Sequence, residues 1–254
     1  MNIKIDNSDL IGEGATAKIY SNNGKAIKVY ENANLSDIEN EAKRQQFAFD
    51  ANLPVPRVYA VYKLENNKIA FEMELINGQP LMHLQMDKDE RRNAVHTLVK
   101  LQCQVHKVKV DNLPRQADYW KEKIKRTQNL DCSLKEKILV LLDQMRDDSN
   151  QLCHGDFHPL NVLYDGGDHW IIDWVDATVG NPLADACRTY LIFKQFINRS
   201  SGIYLKAFCK EANVRQEEVL AWLPIVAAAR VDEGMNDKQI TLLKEMIHVA
   251  LGEG

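Results

Sequence analysis

The segment Cys153-His154-Gly155-Asp156-Phe157-His158-Pro159-Leu160-Asn161-Val162-Leu163 constrains this chain more than any other. It sets a carboxylate, Asp156, five positions ahead of an amide, Asn161, with Pro159 between them. Proline lacks a backbone donor and rarely sits inside a regular strand, so the stretch reads as a loop. A short apolar run, Trp170-Ile171-Ile172, then leads into a second carboxylate, Asp173.

Phosphoryl transfer from ATP needs these three groups. One carboxylate orients and deprotonates the acceptor hydroxyl, while an amide oxygen and another carboxylate hold Mg²⁺ on the phosphates. The Asp-x-x-x-x-Asn spacing is that of protein-kinase catalytic loops, and a strand running into Asp173 is the context the motif requires. A metal site competes for the same residues. His154, Asp156 and His158 alternate and Cys153 adjoins them, and hard or borderline metals accept such ligands. Pro159 argues against the strand that would align them, and no second ligand cluster occurs in the sequence.

The run HGDFHPLNVL…IIDW, followed by Gly180-Asn181-Pro182-Leu183-Ala184-Asp185, resembles the aminoglycoside phosphotransferase and choline kinase family. These small-molecule kinases share a protein-kinase-like fold, and the likeness runs from the glycine loop near residue 11 to Asp185. It implies an α+β, two-lobed chain. Residues 1–77 would form a small β-rich nucleotide-binding lobe, and residues 78–254 a larger helical lobe for catalysis and the acceptor. It implies ATP and Mg²⁺ as cofactors, with Asp156 as catalytic base and Asn161 and Asp173 as Mg²⁺ ligands. Lys28 would hold the α- and β-phosphates, and the backbone of Glu74 and Ile76 would meet the adenine. Asp185 looks like a buried aspartate that hydrogen-bonds the catalytic loop, and His154 like a brace for it.

Two of these assignments can also be weighed from the residues themselves. Lys28 stands in the apolar strand Ala26-Ile27-Lys28-Val29, where an inward lysine needs a counter-charge. Glu39 and Glu41 compete for that place. Glu39 already belongs to a capping box begun by Ser36, and the family's Glu-then-small pattern fits Glu41-Ala42, so Glu41 is chosen. In Gly12-Glu13-Gly14-Ala15-Thr16-Ala17 the two glycines would let backbone N–H groups approach phosphate oxygens. Taken alone the motif reads as a plain hairpin turn. It precedes Lys28 by about one strand and a turn, however, so Gly12 and Gly14 are expected at the phosphates, although Ala17 stands where a third glycine would be.

The order of elements points the same way. Short strands are expected at Leu10-Ile11, 17–21, 25–30, 57–64 and 68–75, the last two pairing across Glu65-Asn66-Asn67. A helix should run from the Ser36 box to about Asn52, and Asn77-Gly78-Gln79-Pro80 breaks the chain. Helical periodicity follows at 89–107, from a Ser133–Glu136 capping box to Met145, at 213–220 and at 236–251.

Composition is that of an ordinary soluble protein, with 45% hydrophobic and 27% charged residues. A net charge of −4 gives no bulk attraction to nucleic acid or an anionic membrane. The N-terminal Met1–Asp6 lacks the apolar core of a signal peptide, and the longest apolar stretch, Trp222–Ala229, is too short to span a bilayer. Five scattered cysteines read as reduced thiols of a cytoplasmic protein.

Trp174-Val175 follows Asp173, and eleven residues separate it from Asp185, leaving no space for a peptide-docking activation segment. The expectation is therefore transfer of the γ-phosphate to a hydroxyl of a small polar molecule of aminoglycoside, amino alcohol or sugar type. Trp222, Asp232 and Glu233 are candidate walls of that acceptor site. The alternative is a catalytically silent nucleotide-binding regulatory module, against which the full set of Lys28, Asp156, Asn161 and Asp173 argues.

Overall fold

The computed structural model describes residues 9–14, 16–64 and 67–253. Met1–Asp6, Ala15 of the glycine loop, and Glu65 and Asn66 of the expected turn lie outside the described residues. The chain divides into two compact units. One runs to Leu81 and includes Leu160–Asp176; the other comprises Met82–Pro159 and the segment from Ala177 onward.

The first unit is built on an antiparallel sheet with strand order β1-β2-β3-β5-β4. Its strands are β1 (Leu10–Glu13), β2 (Ala17–Asn22), β3 (Lys25–Tyr30), β4 (Val58–Lys63) and β5 (Ile69–Glu74). Asn23 and Gly24 join β2 to β3 with φ of 49° and 74°. Two successive left-handed residues make the tight turn whose twist suits a hairpin, and Asn-Gly is the pair that adopts it most readily.

Helix α1 (Leu35–Asp50) buries Ile38, Glu41, Ala42, Gln45 and Ala48, a stripe at helical spacing. Ile38 and Ala42 pack with Ala26, Tyr30, Phe71 and Met73 of the sheet. The helix begins before Ser36, with Asn34 at its N-cap and no side-chain cap, so the expected Ser36–Glu39 box does not form. A small sheet joins β6 (Gln79–Pro80), β8 (Val162–Tyr164) and β9 (His169–Ile171). A Cβ on Gly78 would lie 3.1 Å from both Leu163 Cβ and the Tyr164 carbonyl oxygen, which is why glycine precedes this pairing.

The second unit is mainly helical, with α2 (Lys88–Val105), α3 (Gln116–Arg126), α4 (Cys132–Met145), α5 (Pro182–Phe196), α6 (Asn198–Ala212), α7 (Gln216–Leu220), α8 (Leu223–Arg230) and α9 (Asp237–Ala250). Strand β7 (Gln151–Cys153) pairs antiparallel with β10 (Thr178–Gly180). Asp87 and Glu90 form a reciprocal capping box on α2. On α4 the cap is Asp131, whose carboxylate accepts the Leu134 N–H at 2.9 Å, and not Ser133 as expected. Asn213 does not open a helix; it closes α6 in a left-handed conformation, and α7 starts at Gln216. No helix among the described residues is long and apolar enough to cross a membrane.

Candidate active site

Alternation along β3 puts Ala26, Lys28 and Tyr30 on one face of the sheet, the face covered by α1. Lys28 Nζ lies 2.8 Å from Glu41 Oε1 and 3.0 Å from Asp173 Oδ1. The Tyr30 hydroxyl donates to Glu41 Oε2, so both oxygens of this buried carboxylate are engaged. Burial alone would lower the Lys28 pKa, but the adjacent Asp173 and Glu41 carboxylates prevail and hold it above its ordinary value. Glu39 is exposed on α1, so Glu41 is the partner.

Asp173 follows β9 with φ of 67°, in the left-handed region. Few residues other than glycine adopt that region readily, and aspartate is among them. Just ahead of it, the Ile172 N–H donates to the Asn161 carbonyl oxygen at 2.9 Å, and the Ile171 N–H donates to that of Pro54 at 2.7 Å. The two proposed Mg²⁺ ligands are thus tied through adjoining backbone, Asn161 being buried.

Beside these residues a cavity of about 560 Å³ opens in the first unit. Ile19 and Ala26, Met73, the chain from Glu74 to Ile76, and Leu163 with Ile172 line it. Gly12 also reaches this cavity. Ile19, Ala26, Leu163 and Ile172, with Ser21 and Pro56, are contributors that sequence reasoning missed. The small Ala26, two residues before Lys28 on the same face, was the available signal. Glu74 uses its carboxylate to accept the Arg57 N–H at 3.2 Å. Gly14 donates its N–H to the Ala17 carbonyl at 2.9 Å and does not line this cavity.

The loop after β7 belongs to the second unit. Gly155 has φ of 83°, where a side chain would be strained. Its N–H donates to Asp185 Oδ1 at 2.8 Å. The other oxygen of Asp185 meets His106 Nε2 at 2.9 Å and Gln102 Nε2 at 3.3 Å. Burial works to raise the Asp185 pKa, but the contacts from His106 and Gly155 outweigh it and hold it below the ordinary value. His154 is fully buried, packs edge-on against Phe157 at 5.3 Å, and accepts the Asp156 N–H on Nδ1 at 3.2 Å.

Asp156 Oδ2 lies 3.2 Å from His158 Nε2, and Oδ1 lies 4.0 Å from Arg188 Nη2. Burial pushes its pKa upward, yet the hydrogen bond and charge of His158, then the guanidiniums of Arg188 and Arg230, bring it well below the usual carboxylate range. Among the described residues the one cluster with metal-ligand spacing is His106, Cys153 and Asp185, all buried. Its carboxylate is already committed to Gly155, His106 and Gln102, which makes it a brace under the loop. The expected acceptor walls are engaged too. Trp222 is buried; Asp232 Oδ1 accepts from Thr127 Oγ1 at 2.9 Å and Asn129 Nδ2 at 2.6 Å; Glu233 is bound by three cations.

The model of the phosphotransferase enzyme family matches residues 12–223. No curated protein matches the sequence. Among solved structures, a thermostable mutant of aminoglycoside phosphotransferase APH(4)-Ia, in ternary complex with ADP and hygromycin B, is similar with a TM-score of 0.73. It is 14% identical, and the match covers 96% of this chain and 93% of that one. Choline kinase LicA from Streptococcus pneumoniae is similar with a TM-score of 0.68 at 13% identity, over 100% of this chain and 95% of that one. Aminoglycoside-3'-phosphotransferase of type VIII gives 0.63 at 19% identity, over 87% and 92%. Identities this low show a shared kinase-like fold, whereas the family match extends over most of the sequence: the chain belongs to the phosphotransferase enzyme family.

Proposed function

We propose that this protein transfers the γ-phosphate of ATP to a hydroxyl of a small polar molecule, of aminoglycoside, amino alcohol or sugar type, with Mg²⁺ as cofactor. The observation that carries this reading is Lys28, largely enclosed and held between Glu41 and Asp173, with a cavity of nucleotide size lined by Ala26, on the same strand, and by Ile172, next in the chain to Asp173. In apolar surroundings such a lysine is a fixed positive charge for phosphate oxygens, and its orientation is set before any ligand arrives.

The donors suit Mg²⁺, which takes oxygen ligands: the amide of Asn161 and the carboxylate of Asp173, whose side chain remains 40% exposed. When bound, the ion would neutralise charge on the phosphates. The apolar side chains of Ile19, Ala26, Leu163 and Ile172 would enclose a flat base, with backbone groups of Glu74 and Ile76 at its edge. Asp156, kept ionised by its surroundings, would accept the proton of the acceptor hydroxyl as that oxygen bonds to phosphorus and ADP departs. Nucleotide and metal are thus assigned to residues of the first unit, and the base to the second. ADP and hygromycin B in the APH(4)-Ia complex support a nucleotide with a hydroxylated acceptor. Thiols support a cytoplasmic enzyme, since all five cysteines are free.

The test is a screen of amino alcohols, aminoglycosides, sugars and hydroxylated amino acids by coupled ADP release with Mg²⁺-ATP. Acceptor-dependent ADP formation that vanishes in Asp156→Asn is expected. Nucleotide binding without phosphorylated product from any acceptor would overturn the catalytic reading and leave a silent nucleotide-binding module.

A further inference from the structure

Glu233, just after α8, is gripped by cations from three helices. Arg188 of α5 meets it through two parallel bonds, Nη1 to Oε1 at 3.0 Å and Nη2 to Oε2 at 2.9 Å. Arg230 Nη1 reaches Oε2 at 2.7 Å, and Lys123 Nζ of α3 reaches Oε1 at 2.7 Å. The two arginine side chains are only 3% and 8% exposed. Arg188 also donates from Nε to the Gly155 carbonyl, and its Nη2 stands 4.0 Å from Asp156 Oδ1. One guanidinium therefore holds the backbone ahead of Asp156, faces the Asp156 carboxylate, and is itself fixed by Glu233.

We propose that Arg188, clamped by Glu233, is a positioning residue for Asp156: it fixes the loop at Gly155 and aims the Asp156 carboxylate. This rests on the phosphotransferase reading above. Burying two guanidiniums against a half-buried carboxylate, where apolar side chains would pack, is costly and rarely favoured for stability alone. Such a cluster directly beside a proposed base calls for a role in the chemistry. The planar fork of arginine can serve Glu233, the Gly155 carbonyl and Asp156 at once, which the single ammonium of lysine cannot. The charge count agrees. Three cations surround Glu233, and the surplus positive charge on Arg188 is turned toward Asp156. The groups facing Asp156 include His158 on its own loop, Arg188 from α5 and Arg230 from α8, and Glu233 and Lys123 bind to the arginine cluster.

The experiment compares wild type with Arg188→Gln, Arg188→Lys and Glu233→Gln. The first readout is a ¹³C NMR titration of the Asp156 carboxyl, assigned by its loss in Asp156→Asn, and it needs no turnover. In wild type the group should titrate below the ordinary 3.8, and Arg188→Gln should move it upward. The second readout is kinetic, with the best acceptor or with water as acceptor. Arg188→Gln should lower kcat by up to about 10²-fold, the effect of a misplaced reacting group, while the KM for ATP stays within about twofold. The acid limb of its pH–rate profile should shift to higher pH. Arg188→Lys should restore that limb, which depends on charge, without restoring the rate, which depends on the fork. Should Arg188→Gln fail to fold, Glu233→Gln keeps the guanidinium, removes its clamp, and should lower kcat alone. An unchanged Asp156 titration, or equal losses in kcat and in ATP binding, would overturn the proposal. Absence of any phosphoryl transfer by wild type would refute the parent reading, and the titration would still decide whether Arg188 governs Asp156.

Discussion

The Oδ1 of Asp185 accepts the backbone N–H of Gly155 at 2.8 Å, across a separation of thirty residues. That bond holds Gly155 in the left-handed conformation, φ 83°, which turns the chain immediately before Asp156. Gly155→Ala should destabilise the fold by about 1–2 kcal/mol, the cost of a side chain in that region, and lower the melting temperature by a few degrees. Calorimetry checks this. A melting point equal to that of wild type would mean the loop relaxes without penalty.

Mg²⁺-ATP at about 100 times its dissociation constant should stabilise the protein by roughly 2.7 kcal/mol, or on the order of 5–10 °C for a chain of this size. Lys28→Ala should shrink that shift. It should also weaken the ligand-free protein, because Glu41 is left buried with Tyr30 as its remaining partner. Thermal melts with and without nucleotide report both effects, and a melt indifferent to nucleotide at every concentration would sink the kinase assignment.

Asp156→Asn should cut turnover by something like 10²- to 10⁴-fold, the worth of a positioned base, with nucleotide affinity retained. Asp173→Asn should instead weaken the Mg²⁺-dependent part of nucleotide binding, since it removes charge from the proposed ion shell. Calorimetric titration of ATP with and without Mg²⁺ separates them. Equal loss of nucleotide affinity in both would contradict the division of roles.

Burial works to raise the Glu233 pKa, but Arg188 and Lys123 overcome it and bring it to about 2, against 4.5 ordinarily. A folded pKa below the unfolded one means this stabilisation is complete above pH 4.5 and is lost as pH falls toward about 2. Unfolding free energy measured across that window should therefore fall less steeply in Glu233→Gln than in wild type. Parallel curves would show that Glu233 titrates alike in both states.

The β-strands of the first unit were legible because alternation and the Asn23-Gly24 turn are local signals. Lys28 was legible as a charge on an otherwise apolar strand, and Glu41 as its partner through the family's Glu-then-small pattern at Glu41-Ala42; the capping box that set Glu39 aside does not form. Helix starts were less legible. Ser36 and Ser133 head plausible boxes, but Asn34 and Asp131 come first and take the N-cap. Helix α5 shows no apolar stripe because it is enclosed on most sides, burying Asp185, Arg188 and Thr189 along with its hydrophobic residues. The roles of Arg188 and Glu233 were invisible for a related reason. Their meaning lies in contacts that span forty-five residues, and no periodicity records them.

The left-handed backbone at Asp173 decides how that position can be probed. Asparagine keeps both the conformation and the shape of the side chain, so it reports on charge alone. Alanine would mix two losses, the carboxylate and the ease of the turn, and a β-branched residue would strain the chain before any chemistry was assayed. Glycine removes the carboxylate while leaving the turn unstrained. Asp173→Gly is therefore the cleaner deletion, and the contrast between the glycine and alanine variants measures how much of the site is geometry and how much is charge.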